Sequence, residues 1–178
     1  MSGALDLALD TFALDYAISL ETSQQSRRVL ELTDRVFGPG RYTKTAERLR
    51  EGSAPVADLS FTAMQGERLL GSVRQWPVFV FDEVANIYEP LVFLGPIVVE
   101  PTHRGLGIGK SLVRAAVDAA FNKGLRAVLL VGSQAYFKPF GFDVAENIEM
   151  PGPVDAKRLL IHYCQDGLKL HGRVVKVV

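Results

Sequence analysis

The sequence predicts an α+β (mixed α/β) fold organised on one mixed, mostly antiparallel sheet, and three observations carry that reading. Two β-prone runs, 59–64 and 69–80, flank Gln65-Gly66-Glu67-Arg68, a hairpin signal. A nearly continuous apolar strand at 91–99, an amphipathic helix at 110–123 and a second apolar strand at 127–131 make a strand-helix-strand unit whose strands run parallel. Helices are few beside the strands, as expected when they cover a sheet.

In chain order, Tyr16 to Leu20 is β-prone, and Thr22 or Ser23 is placed to cap a helix carrying Val29, Leu32, Val36 and Phe37 at helical spacing. Gly38-Pro39-Gly40 ends that helix. Thr43 to Arg50 reads as a second, mostly polar helical piece, peripheral and able to move, that stops at Gly52. After the hairpin, 81–90 reads as a connection carrying Asp82, Glu83 and Glu89. In the strand that follows, Pro96 has no N–H to donate and Gly95 has no side chain to pack, so the ladder should break there and the strand splay from its neighbour. The next helix sets Ile108, Leu112, Ala115, Ala116, Ala119 and Ala120 on one face, and Gly124 suits its C-terminus. Ser133 to Lys138 reads as a helical turn, and Phe140-Gly141-Phe142 opens another strand. Pro151 and Pro153 mark a loop, after which 158–163 and 174–178 read as strands near a sheet edge.

Composition limits the partners. At 178 residues the chain is read as one domain, 1–178, with 145–178 supplying its C-terminal strands and loops. Lys+Arg and Asp+Glu are equal at 20 each, so no global basic field points to nucleic acid. The single Cys164 excludes an internal disulfide and reads as a small, partly buried hydrophobe. With three scattered histidines it leaves no metal-ligand cluster. Met1 to Leu20 carries Asp6, Asp10 and Asp15 and no basic leader, and no apolar run reaches the length of a membrane span. The expectation is a soluble, cytoplasmic protein without metal, nucleic-acid or membrane partner, and a homodimer is compatible with it.

The stretch Leu94 to Gly109 carries the chemistry. It runs from the interrupted strand through a turn at Pro101 into a glycine-rich loop and then, without a break, into the helix. Glycines let backbone approach a ligand or take positive φ, and the first-turn N–H groups of a helix lack partners inside it, so this junction is built for a diphosphate. Gly109-Lys110-Ser111 invites a P-loop reading, but the first glycine of that motif falls on Arg104, and the strand at 127–131 ends in Gly132-Ser133 where a nucleotide hydrolase needs a magnesium-binding aspartate. A dinucleotide fingerprint fits no better, since the glycines fall at 105, 107 and 109 and late in the chain.

Val99-Glu100-Pro101-Thr102-His103-Arg104-Gly105-Leu106-Gly107-Ile108-Gly109 resembles motif A of the GNAT superfamily of N-acetyltransferases, Arg/Gln-x-x-Gly-x-Gly/Ala, here on Arg104, Gly107 and Gly109. Tyr136-Phe137-Lys138-Pro139-Phe140-Gly141-Phe142 resembles the second signature, an aromatic residue shortly before Phe-Gly-Phe. The likeness spans roughly Tyr16 to Val144 and is greatest to the bacterial YhbS-like branch. It implies a sheet splayed between two parallel strands with helices on both faces. It also implies acetyl-CoA as donor, with the pyrophosphate on backbone N–H groups of Leu106, Gly107, Ile108, Gly109 and Lys110, Gly105 and Ser111 also at the cofactor, and the pantetheine arm along Ile97, Val98 and Val99. Arg104 could add charge, and Phe137 would touch the cofactor.

The resemblance further implies direct attack of a primary amine, small-molecule or peptide, on the thioester. The family's general acid is a tyrosine at the position held here by Phe137, so Tyr136 is the neighbouring candidate. A neutral backbone N–H near Ile97 or Val98 is the oxyanion candidate. Glu89, just before the splayed strand, is the carboxylate placed by sequence to act as base, with Asp82, Glu83 and Glu100 as competitors. His103 reads as exposed and His162 as satisfied within the sheet. Trp76, Phe79, Phe81 and Tyr88 are candidates to wall an acceptor pocket. Phe137 at the acid position also motivates an alternative, a non-catalytic CoA- or acyl-CoA-binding module.

Overall fold

Two long, consecutive strands dominate the chain, because the run from Arg68 to Val99 is rich in β-branched and aromatic residues and turns only once. The computed structural model describes residues 15–177. Residues 1–14 and Val178 lie outside this range, and with them most of the acidic N-terminal stretch and the last residue of the expected C-terminal strand. The elements are β1 (Ala17–Leu20), α1 (Ser26–Phe37), α2 (Thr45–Arg48), β2 (Phe61–Gln65), β3 (Arg68–Asp82), β4 (Ile87–Val99), α3 (Ile108–Asn122), β5 (Ala127–Val131), α4 (Gln134–Phe137), β6 (Asp143–Val144), β7 (Ile148–Glu149), β8 (Leu159–Tyr163) and β9 (Gly172–Lys176).

All nine strands join one sheet in the order β1-β2-β3-β4-β5-β8-β6, with β9 paired to β3 beyond the end of β2 and β7 paired to β9. Every pairing is antiparallel except β4 with β5 and β7 with β9. The strand-helix-strand unit is therefore parallel, as expected. Residues 81–90 are not a connection. β3 and β4 stay in register out to Asp82 opposite Ile87, and only Glu83 to Asn86 turn the chain, with Asn86 at φ 54. The Asp82 carboxylate accepts from the N–H groups of Val84 and Ala85, which closes the hairpin locally.

Strand alternation places the helices. Leu70 and Val73 pack with Ile108, Leu112, Val113 and Ala116 of α3, whereas Leu69 and Val98 pack with Val29 and Leu32 of α1. The β2–β3 register shift skips Leu70, which lets Leu70 and Val73 share one face while Leu69 takes the other, so α1 and α3 cover opposite faces. Gly71 lets α3 approach closely: a β-carbon there would stand 2.7 Å from the Val98 carbonyl oxygen and 3.2 Å from Leu112.

Four local expectations change. α1 begins after Gln25, not at Thr22 or Ser23, because residues 22–25 form a turn in which the Gln25 side-chain oxygen accepts from the Thr22 N–H. Phe37 is not on the buried face of α1 but is about half exposed. The segment 43–50 is not peripheral: Leu49 is buried beside Phe93 and Leu91, Thr45 donates to the Pro153 carbonyl at 2.8 Å, and Arg50 lies under the sheet. Cys164 is exposed, past the end of β8.

Candidate active site

The site forms where β4 loses a neighbour. One edge of β4 follows β3 as far as Val99 opposite Gly71, but the other meets β5 only at Val92 and Phe93. Beyond that point β5 continues through Leu130 and Val131 without β4, so the backbone of Ile97 to Val99 faces an open wedge. The parting coincides with the expected irregularity. The β3–β4 register shifts between Val73 and Gln75, opposite Gly95-Pro96, and Gly95 takes φ 126. Trp76 Nε1 donates to the Gly95 carbonyl at 2.8 Å, fixing the backbone at the break.

The glycine loop closes the other side. Gly105 and Gly107 lie at φ 83 and 82, the left-handed region that favours glycine. α3 starts on Gly107 with no side chain capping it, which leaves first-turn N–H groups for a ligand. Wedge and loop together bound a cleft of about 520 Å³ lined by Ile97, Val98, Val99, Arg104, Gly105, Gly107, Ile108, Gly109, Lys110, Tyr136 and Phe137, with His103, Val36 and Phe37 beside them. Two residues expected at the cofactor do not line it. Leu106 projects outward, half exposed, and the Ser111 hydroxyl is bonded to Tyr16 Oη at 2.9 Å, toward β1.

α4 places two aromatic rings edge to face, 4.8 Å apart. The Tyr136 hydroxyl lies against the start of α3, and burial pushes its pKa up, so it is a protonated donor at neutral pH. Phe137 packs on Phe142 and over Gly132, where a β-carbon would stand 2.4 Å from the ring. Only glycine at 132 leaves that ring its place.

Beyond Phe137 a second cavity of about 330 Å³ opens, sharing Phe37, Ile97 and Phe137 with the first. Its other walls come from the segment 41–50, from Phe93 to Pro96, from the end of β5 and from Arg158. Glu47 bridges two guanidinium groups here, Arg41 at 2.8 Å and Arg50 at 3.0 Å, and Arg41 also binds Asp34 at 2.9 Å. Burial lowers the Arg50 pKa to about 10 against the opposing pull of Glu47, so the group remains a cation at neutral pH. Sequence reasoning missed this half of the site. Its signal was the density of charge in Arg41 to Arg50, of which Thr43 to Arg50 reads from sequence as a mostly polar, peripheral helix.

The expected carboxylates are elsewhere. Glu89 sits within the hairpin ladder opposite Val80, ion-paired with Arg126 at 3.0 Å, and lines neither cavity. Eight residues of strand separate it from Ile97, roughly 25 Å at the usual rise. Glu83 pairs with Arg173 at 3.3 Å and Glu100 with Arg35, while Asp82 closes its turn. Tyr88 stacks on Phe81 and meets Phe79 edge to face at the far end of the hairpin, and neither these three nor Trp76 line either of the two clefts. His103 bonds through Nδ1 to Thr102 Oγ1 at 2.9 Å on the rim of the first cleft. His162 is not satisfied by the sheet: its Nδ1 is buried with no partner among the described residues, and the ring packs against Phe121 and Phe142. Among those residues no group of His, Cys, Asp and Glu is placed to hold a metal, and no helix is long and apolar enough to cross a membrane.

Residues 20–142 match the acetyltransferase (GNAT) family. The chain belongs to that family. The uncharacterized N-acetyltransferase YhbS of Escherichia coli K12 is 29% identical over 119 residues, which cover 67% of this chain and 68% of that protein. The crystal structure of E. coli YhbS in complex with CoA has a TM-score of 0.74 at 25% identity, covering 91% of this chain and 89% of the other. A GNAT family acetyltransferase from Brucella melitensis, in complex with acetyl-CoA, shares the fold at a TM-score of 0.70 and 22% identity, covering 92% and 97%. The protein is thus an N-acetyltransferase of the GNAT type with the α+β GNAT fold, and the parted β4 and β5 are the family's splayed parallel pair.

Proposed function

We propose that this protein binds acetyl-CoA in the first cleft and transfers the acetyl group to a primary amine entering from the second. One observation carries the reading: the two cavities meet at Phe37, Ile97 and Phe137, at the point where β4 leaves β5. The pyrophosphate is assigned to the N–H groups between Gly105 and Lys110, with Arg104 and Lys110 adding charge. The pantetheine amides pair with the free edge of Ile97 to Val99 as an added strand would. CoA and acetyl-CoA in the E. coli and B. melitensis relatives support the same donor here.

The amine nitrogen attacks the thioester carbonyl, the oxygen takes up charge beside the N–H of Ile97 or Val98, the carbon–sulfur bond breaks to release CoA thiolate, and the new amide nitrogen gives up its extra proton to water or the departing thiolate. A thiol has a pKa of roughly 8.5, so thiolate leaves near neutrality with little help, which makes Phe137 in place of a tyrosine tolerable. An alkylammonium, at about 10.4, must first lose a proton. Glu47 is the one carboxylate lining the second cavity and is committed to two guanidinium groups, so the proton is assigned to water.

The decisive measurement is calorimetry of acetyl-CoA with wild type and Gly107→Asp. Aspartate tolerates left-handed backbone better than most residues, so the variant should fold and lose binding through charge repulsion. Equal affinity in both would overturn the assignment. Phe137 also favours a second reading, a module that binds acyl-CoA without turnover. Thiol release with any amine at micromolar enzyme removes it.

A further inference from the structure

The second cavity has a charge pattern that delivery of a simple amine does not explain. Arg41, Lys44, Arg50 and Arg158 line it against the single carboxylate of Glu47. Arg41 is already neutralised by Asp34 and Glu47, but Lys44 and Arg158 make no ion pair among the described residues. Arg50 is as enclosed as Arg41, its side chain only 10% exposed, but is held by the single carboxylate of Glu47. The guanidinium lies 5.5 Å from the centre of the Phe93 ring, gives one nitrogen to Glu47, and sets Nη2 against Gly95, 3.2 Å from where a β-carbon would stand. Its Nε is buried with no hydrogen-bond partner among the described residues. Nη2 likewise makes no hydrogen bond among the described residues, and a guanidinium buried with donors unpaired is costly, so a planar anion meeting Arg50 from the cavity offsets part of that cost.

We infer that the acceptor is an amine that also carries an anionic group, carboxylate or phosphate, bound by Arg50 with Arg158 and Lys44 at the rim. This deepens the acetyl-transfer reading above and rests on it. The anion would satisfy Arg50 and set the amine toward Ile97, where the cavities join. The same cations disfavour the ammonium form of the bound amine, which raises the fraction of nucleophilic free base without a dedicated carboxylate. A diamine would bring a second positive charge into this field and be excluded.

The test compares propylamine, β-alanine, 2-aminoethyl phosphate and a diaminopropane as acceptors in thiol release from acetyl-CoA. At least one anionic amine should exceed propylamine tenfold or more in kcat/KM, an order expected of one charge-assisted contact. The β-alanine and phosphate arms identify which anion is taken. Arg158→Gln, at an exposed position, and Arg50→Gln should each lower the anionic-to-neutral ratio at least fivefold, with unfolding midpoints confirming that both fold. A second measurement needs no turnover: calorimetry of N-acetyl-β-alanine, N-acetyl-2-aminoethyl phosphate and N-propylacetamide into protein saturated with CoA. Preference for neutral or dicationic amines, or binding of both anionic products no tighter than the neutral one, overturns the inference. Selective binding of an anionic product without thiol release from any amine would support the anionic cavity and overturn acetyl transfer instead.

Discussion

The hydroxyl of Tyr136 stands 3.0 Å from the point where a β-carbon on Gly109 would lie. The side chain nearest the family's acid position is therefore directed at the start of α3 and lines only the first cleft, while Phe137 faces both cavities. A tyrosine there buttresses the anion loop more directly than it reaches a leaving sulfur.

Tyr136→Phe should accordingly cost less than about tenfold in kcat, where a true general acid contributes about 10² to 10⁴. Steady-state thiol release with the best acceptor measures this. A hundredfold loss at unchanged acetyl-CoA affinity would make the hydroxyl catalytic.

Arg74 and Glu21 form the most enclosed ion pair described, with side chains 6% and 5% exposed and Nε to Oε2 at 2.8 Å. Arg74 is the β3 residue skipped by the register shift opposite Gly95-Pro96, and Glu21 follows β1, so the pair ties the sheet edge to the break. Removing one charge strands the other in a dry site, which costs roughly 3–5 kcal/mol. Glu21→Gln should lower unfolding stability by that order in urea titrations. A loss under about 1 kcal/mol would rank the pair with exposed ones.

His162 gives the fold an acid-sensitive point. Burial among Phe121, Phe142 and the Gly141 backbone lowers its pKa below 6.5, with Asp118 partly opposing. The unfolded chain then binds more protons than the folded one between the depressed value and 6.5, so stability rises with pH in that window. The contribution is complete above 6.5 and is lost as pH falls through the folded value. Asp34, Asp58 and Asp143, whose pKa values lie below 3.8, act only at lower pH. The urea midpoint of wild type should fall between pH 7.5 and 5.5, and His162→Phe, which suits the aromatic cluster, should flatten that fall. An identical fall in the variant would assign it to other groups.

What the sequence by itself determined are the features written in backbone constraints of adjacent residues. Gln65 to Arg68 turns because Gly66 tolerates φ 55, the ladder breaks at Gly95-Pro96 because proline lacks a donor, and α3 starts bare because glycines at 105 and 107 take left-handed φ. These spans need no distant partner, so the sequence alone located the glycine-loop cleft, and the resemblance of its motifs pointed to the family. Only the tertiary structure decided which distant charges meet. Glu89 was near the splay in sequence yet lies in a ladder that runs on to Asp82 and Ile87, because the turn closes in four residues instead of ten. Ser111 belongs to the loop motif but turns to Tyr16, 95 residues away. Arg50 became part of a cavity because Leu49 and Thr45 dock their segment beneath β4 and against the loop at Pro153, contacts set by packing across the sheet and by no local pattern.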